Sequence, residues 1–237
     1  MTGPMPCEVR NLYTGYGDTI IIHDLSMSIG RNEKVALIGP NGAGKTTLLN
    51  AIVGLLKPVK GEIRVFGRDT RHLEPHEIIK LGVGVVPEGG RIFPRLTVME
   101  NILVAMPSRD RSAATLEEIF SLFPILKARR EQLAGTLSGG EQRMLAIARA
   151  IARNPKLLII DELSLGLAPK IISMIYNALN VLWETTDTSI LVTEQFIKRA
   201  LEFSQRAYLI EHGSIVLEGP SHELAENPYV KKAYLGI

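Results

Sequence analysis

The chain has 237 residues, with 27 Lys and Arg against 25 Asp and Glu, a formal net charge of +2 and 46% apolar residues. That length can build one large domain or two small ones around a substantial core, and the near balance of charge speaks against a nucleic-acid binder, whose basic groups dominate one face. No uncharged apolar run approaches the roughly 18 residues of a membrane span, and residues 1–10 hold prolines and no apolar signal core, so neither insertion nor secretion is expected.

Along the chain, residues 7–12 and 26–29 alternate as antiparallel strands, with turn residues Gly15, Gly17 and Asp18 between them. The single cysteine, Cys7, cannot form an intrachain disulfide; it reads as a small apolar strand residue and fits a cytosolic location. The apolar run 35–38 reads as a buried strand, and residues 48–53 read as a helix start. Between them stands Gly39-Pro40-Asn41-Gly42-Ala43-Gly44-Lys45-Thr46-Thr47, which fits the phosphate-loop pattern of Gly, four residues, Gly, Lys and Ser or Thr. Glycines without Cβ atoms let backbone N–H groups close on phosphate oxygens, and the helix N-terminus favours an anion. Lys45 is expected to reach the β- and γ-phosphates of ATP, and the Thr46 hydroxyl to ligate Mg²⁺.

Residues 61–67 and 82–86 read as short strands, the second ended by Pro87. From about 88 to 153 the pattern turns helical, with breaks at Pro94, Pro107 and Pro124. There Met144, Ile147, Ala148 and Ile151 mark one apolar face, and Arg143, Arg149 and Arg153 lie mostly off it. Ser138, Gly139, Gly140 and Glu141 open that helix, a second anion site at a helix N-terminus with Ser138 as an added donor. Two such sites in one chain make sense if each completes a nucleotide pocket begun by another subunit. The continuous apolar runs 157–160 and 190–192 predict central parallel strands, and residues 207–218 a hairpin turning at His212-Gly213. Strand 157–160 ends in Asp161-Glu162. Adjacent strand residues face opposite ways, so Asp161 is expected to hold Mg²⁺ while Glu162 orients or deprotonates an attacking water. The layout is an α/β nucleotide-binding core, about 1–87 and 154–237, with a helical insertion at about 88–153. His72 and His76 are four apart, but Pro75 lies between them and no acidic or cysteine cluster surrounds them, so a solvated helix start is expected. The basic run 127–130 reads as a solvated helix face.

Residues 39–47, 137–142 and 157–162 resemble, in order and spacing, the Walker A, signature and Walker B motifs of an ABC-type ATPase, and the likeness covers nearly the whole chain. Within that superfamily, residues 86–94, 164–169, 192–195 and 229–236 resemble the LivF branch, whose members energise import of branched-chain amino acids. The resemblance implies a P-loop NTPase (ABC ATPase) core with antiparallel β and helical subdomains, on the inner face of the cell membrane. It implies ATP and Mg²⁺ as ligands, and permease subunits and a second ATPase subunit (self or paralogue) as partners. It places Tyr16 on the adenine, Glu88 at a metal-contacting glutamine position and Gln195 at the switch-histidine position. A glutamine there donates a hydrogen bond but carries no proton or positive charge, so Glu162 must take the base role. Leu163 stands where a proline usually follows, with a looser turn as the expectation, and Ala168 stands where many members have an aspartate. Another small solute (urea, an amide, another amino acid) and a soluble non-transport ABC ATPase are the alternatives.

Overall fold

The computed structural model describes residues 3–107 and 113–235. In chain order its elements are β1 (Cys7–Tyr16), β2 (Thr19–Ile29), β3 (Lys34–Ile38), α1 (Lys45–Ile52), β4 (Lys60–Val65), β5 (Arg68–Asp69), α2 (Pro75–Lys80), β6 (Val83–Val86), α3 (Val98–Ala105), α4 (Ala113–Leu122), α5 (Pro124–Ala128), α6 (Gly139–Ile151), β7 (Leu157–Ile160), α7 (Pro169–Thr185), β8 (Ser189–Glu194), α8 (Ile197–Phe203), β9 (Arg206–Glu211), β10 (Ser214–Pro220), α9 (Ser221–Glu226) and α10 (Pro228–Val230). A four-stranded antiparallel sheet runs β2-β1-β4-β5, and a six-stranded sheet runs β10-β9-β3-β8-β7-β6. In the larger sheet β9, β3, β8, β7 and β6 are parallel neighbours, and β10 alone pairs antiparallel.

The central apolar runs are continuous because both faces of this sheet are covered. Val35, Leu37, Leu157, Ile159 and Leu191 point into a core shared with α1 and the antiparallel sheet. Ala36, Ile38, Leu158, Ile160, Ile190 and Val192 point into a second core beneath α6, α7 and α8. Burying each such branched side chain stabilises by about 1.5–3 kcal/mol before entropy is counted. Cys7 belongs to the first core, and burial pushes its thiol up to about 12, so it behaves as an apolar strand residue.

Strands β1 and β2 are longer than the alternation predicts. The register shifts between Val9 and Leu12 and again between Leu12 and Thr14. At the first shift Asn11 and Asp24 take left-handed backbones, φ 45° and 48°, and the Asn11 amide donates to the Asp24 carboxylate at 3.0 Å. Such bulges break period-two alternation without ending the strand. The helical stretch expected from residue 88 begins instead at Val98. Gly89, Gly90 and Arg91 have φ of 71°, 73° and 42°, which no right-handed helix accommodates. Thr97 and Glu100 then start α3 as a reciprocal capping box. Pro124 is the first residue of α5, where a missing N–H costs nothing.

Strands β3, β7 and β8 end at one edge of the sheet, and the loops that follow them converge there. In open α/β sheets that edge is where ligands bind.

Candidate nucleotide site

A cavity of about 440 Å³ at this edge is lined by Tyr16, Ile21, Asn41, Gly42, Gly44, Lys45, Thr46, Thr47, Glu88, Glu162, Leu165 and Gln195. Tyr16, most of the phosphate loop, Glu88, Glu162 and Gln195 are thus brought together from five separate stretches of chain, while Gly39, Pro40, Ala43 and Asp161 lie outside the lining. Gly44 is the N-cap of α1 with φ 109°, and a Cβ there would stand 2.8 Å from Ile22. The first turn of α1 holds no acidic side chain, so its N–H groups and positive dipole end face the cavity unopposed.

Lys45 is almost fully buried, and its ammonium donates to the Gly39 and Pro40 carbonyls at 2.8 and 3.1 Å. It also pairs with Glu162 Oε1 at 3.1 Å. The other Glu162 oxygen accepts the Gln195 amide at 2.9 Å. One carboxylate is therefore held between the loop lysine and the switch amide, and it retains lone pairs for a further donor. Glu162 itself sits at φ 48°, a sparsely populated conformation for a residue with a side chain. Its N–H donates to Thr193 Oγ1 at 2.8 Å, and its carbonyl accepts from Arg143 at 3.1 Å.

Asp161 accepts the Thr46 hydroxyl at 2.9 Å and the Thr193 hydroxyl at 2.7 Å. The Thr46 hydroxyl, the Asp161 carboxylate and the nearby Glu88 form a hard-oxygen donor set. Among the described residues no group of three or more His, Cys, Asp or Glu could cage a metal alone. Mg²⁺ is bound through one or two carboxylates plus substrate phosphates and water, so these residues suit it. Tyr16 lies at the end of β1, half-exposed, and its hydroxyl accepts the Asn50 amide at 3.2 Å.

The signature segment does not line this cavity. Ser138 caps α6: its oxygen accepts the Glu141 N–H at 3.4 Å, and Glu141 accepts the Ser138 N–H at 2.9 Å. The capping box uses the Ser138 oxygen as an acceptor within its own chain and leaves the hydroxyl proton to donate. Gly140 packs so that a Cβ would stand 2.9 Å from Ile171, whereas a Cβ on Gly139 would meet nothing within 4 Å. Arg129, expected on a solvated face, pairs with Glu141 at 3.1 Å. His72 and His76 are exposed beside the start of α2.

Three residues of the site were not expected. Arg143, read as lying off the apolar face, is buried and donates to the carbonyls of Pro87, Asp161 and Glu162. Thr193 ties Asp161 to the Glu162 backbone. Glu194, fully buried, accepts the hydroxyls of Ser164 and Tyr176 at 2.7 and 3.1 Å. Burial, with Glu162 nearby, pushes its carboxyl above the usual range despite those bonds. A signal did exist: two polar residues close the otherwise apolar run of β8, at the ligand-binding edge. Leu163 also differs from expectation. Its side chain is fully buried in the helical-side core and its N–H, which a proline would lack, donates to the Thr193 carbonyl at 3.4 Å, so the turn is anchored rather than loosened.

A phosphate loop feeding a helix, a lysine against a strand-end carboxylate and a magnesium-type oxygen set define a P-loop nucleotide hydrolase. The family model described as ABC transporter matches residues 22–164. The chain is 44% identical over 225 residues, covering 94% of it and 96% of the relative, to the high-affinity branched-chain amino acid transport ATP-binding protein BraG of Pseudomonas aeruginosa. It is 36% identical, covering 95% and 97%, to a probable branched-chain amino acid transport ATP-binding protein LivF of Archaeoglobus fulgidus. It is also 35% identical, covering 96% and 95%, to the lipopolysaccharide export system ATP-binding protein LptB of Haemophilus influenzae. The dimeric post-hydrolysis state of an ATP-binding cassette bound to ADP and phosphate superposes with a TM-score of 0.79 at 28% identity, covering 91% and 98%. The chain belongs to the ABC transporter family and is an ATPase. Its likeness to LivF-type subunits, read first from short motifs, extends over almost the whole chain.

Proposed function

We propose that this ATPase binds MgATP in the 440 Å³ cavity and energises a permease that imports branched-chain amino acids. The observation that carries the catalytic part is the Glu162 carboxylate, held between Lys45 and Gln195 at the mouth of the phosphate loop. Tyr16 stacks on the adenine, the loop N–H groups and Lys45 hold the phosphates, and Glu162 takes the proton of the attacking water. Thr46, Asp161 and Glu88 hold Mg²⁺, which when bound neutralises charge developing on the phosphates. Ser138, Gly139, Gly140 and Glu141 lie outside their own chain's cavity, so they complete the cavity of a second ATPase subunit, a copy or a paralogue.

The amino-acid cargo rests on the likeness to BraG and LivF. The LptB relative supports a second reading, the same machine serving another solute. Among the described residues no helix is long and apolar enough to cross a membrane; in this proposal a permease carries the solute and this chain docks on the permease's cytoplasmic face, as the likeness to transport ATP-binding proteins suggests. Proteoliposomes holding the ATPase, its permeases and binding protein test the cargo. ATP-dependent uptake of leucine, isoleucine and valine supports the proposal; uptake of urea or an amide in their place overturns it.

The docking surface is a groove of about 390 Å³ beside residues 88–100, lined among others by Phe93, Val104 and Arg149. Phe93 is 45% exposed, with the Arg149 guanidinium 4.5 Å from its ring centre. Ile92 and Leu96 beside it are half-buried against the molecule. The only native cysteine is buried, so a cysteine placed at Arg95 is a selective handle. Crosslinks from it to a permease loop should change with ATP, and Phe93→Asp should abolish transport while leaving ATP binding. Unimpaired transport in Phe93→Asp would remove the groove from the interface.

Gln195→His should hydrolyse ATP as well as the natural chain or faster, because a ring N–H can donate to Glu162 as the amide does. The variant should acquire a step in rate near pH of about 6.5, absent from the natural chain at this site. A folded, ATP-binding variant without turnover would show that the amide has a role histidine cannot fill.

A further inference from the structure

Glu194 is fully buried and, among the described residues, forms no ion pair, with the buried Arg143 guanidinium attracting it only from a distance. An isolated buried carboxylate is costly and persists only where donors hold it. Its donors are instructive. Ser164 Oγ, at 2.7 Å, belongs to the loop that follows Glu162. Tyr176 OH, at 3.1 Å, belongs to α7, and its ring packs on Phe203 of α8 at 5.0 Å between centres. The carboxylate thus joins the end of β8 to the loop after β7 and to α7, whose Tyr176 in turn packs on α8.

The same stretch makes further attachments of that loop, beside those from Lys45, Thr46 and Arg143. Thr193 binds Asp161 and the Glu162 N–H, and Gln195 binds the Glu162 side chain. Glu162 holds a left-handed backbone at φ 48° without being glycine. Such a conformation persists only where its surroundings over-determine it. Thr193 and Arg143 fix the backbone of Glu162 itself; the Glu194–Ser164 bond fixes the chain two residues on. Leu165, next along, is exposed and lines the nucleotide cavity.

We propose that Glu194 is a positioning residue: by gripping the Ser164 hydroxyl it holds the turn after β7 in the conformation that aims Glu162 at the cavity. This rests on the reading of Glu162 as the base. Glu194 touches no cavity atom, so its loss should leave nucleotide binding alone and misplace the carboxylate, a small displacement with a large effect on rate.

The test compares full-length Ser164→Ala, Glu194→Gln, Glu194→Leu and the Ser164→Ala/Glu194→Leu double variant with the natural chain, by phosphate release, MgATP calorimetry and thermal melting. Ser164→Ala and Glu194→Leu should lose about 10- to 100-fold in kcat, with MgATP affinity unchanged. Glu194→Gln, which keeps an acceptor oxygen, should recover part of the rate. The double variant should be no slower than the slower single, because both remove one bond. A merely structural role would lower the melting temperature and leave kcat per bound nucleotide intact, and that result overturns the proposal. So do natural kcat in folded Ser164→Ala, a loss confined to ATP affinity, or losses that multiply in the double variant. If Glu194→Leu does not fold, Ser164→Ala and Glu194→Gln decide. Glu162→Gln, assayed alongside, separates the two levels. Natural turnover there overturns the base assignment and this proposal with it; lost turnover there beside natural turnover in Ser164→Ala overturns the role of Glu194 alone.

Discussion

Glu162→Gln is expected to bind MgATP and fail to turn it over. The amide is nearly isosteric with the carboxylate, so the cavity keeps its shape. Its oxygen can still accept the Lys45 ammonium, now 3.1 Å from Glu162 Oε1. Its NH₂ would face the Gln195 NH₂ that now donates to Oε2 at 2.9 Å, and a flip of the Gln195 amide restores a donor–acceptor pair. What the amide cannot do is accept the proton of the attacking water. A general base contributes about 10²–10⁴-fold in rate, and that is the expected loss in steady-state phosphate release. Removing a negative charge beside the γ-phosphate also removes repulsion, so the ATP-bound pair of subunits should outlive the natural one. Size-exclusion chromatography with MgATP should show a dimer that the natural chain does not accumulate. Turnover at the natural rate would reassign the base.

The elements that position Glu162 were legible in the sequence to different depths. Strands β3, β7 and β8 stand out because burial on both faces demands unbroken apolar runs, and the phosphate loop stands out because its glycines serve backbone geometry. Local patterns of this kind depend on neighbours in the chain. The contacts of Arg143 depend on where α6 comes to lie under the carbonyls of Pro87, Asp161 and Glu162, which no helical periodicity encodes. An arginine off the apolar stripe looks solvated until the end of another strand is packed over it. Thr193 and Glu194 were hidden for a related reason. β8 is buried along its whole length, so its final polar residues find their side-chain partners in the loop after β7, about thirty residues away in sequence, and at Tyr176 of α7. The bulge at Asn11 hid the continuation of β1 by shifting which side chains face inward. At Leu163 comparison with a proline suggested looseness; the buried side chain and its N–H supply the anchoring that a ring would otherwise give.

Lys45→Ala separates binding from hydrolysis. Glu162→Gln removes a proton acceptor and leaves the cation; Lys45→Ala removes the cation that faces the phosphates. A charge-assisted hydrogen bond contributes about 1.5–3 kcal/mol, so the Kd for MgATP should rise about 10- to 100-fold, read directly by calorimetry. A second effect has to be kept apart from the first. Lys45 and Glu162 are both buried, so the truncation leaves the Glu162 carboxylate with the Gln195 amide as its remaining side-chain donor. Removing one partner of a buried pair destabilises because the other charge stays desolvated, and a lower melting temperature without nucleotide is therefore expected. The double variant Lys45→Ala/Glu162→Gln removes that stranded charge. It should recover most of the lost melting temperature, and of the lost ATP affinity no more than Glu162→Gln gains on its own by relieving repulsion with the γ-phosphate. If affinity returns beyond that gain as stability returns, the single variant lost nucleotide through misfolding and not through the missing cation. If calorimetry finds MgATP binding unchanged in a folded Lys45→Ala protein, residues 39–47 do not hold the phosphates.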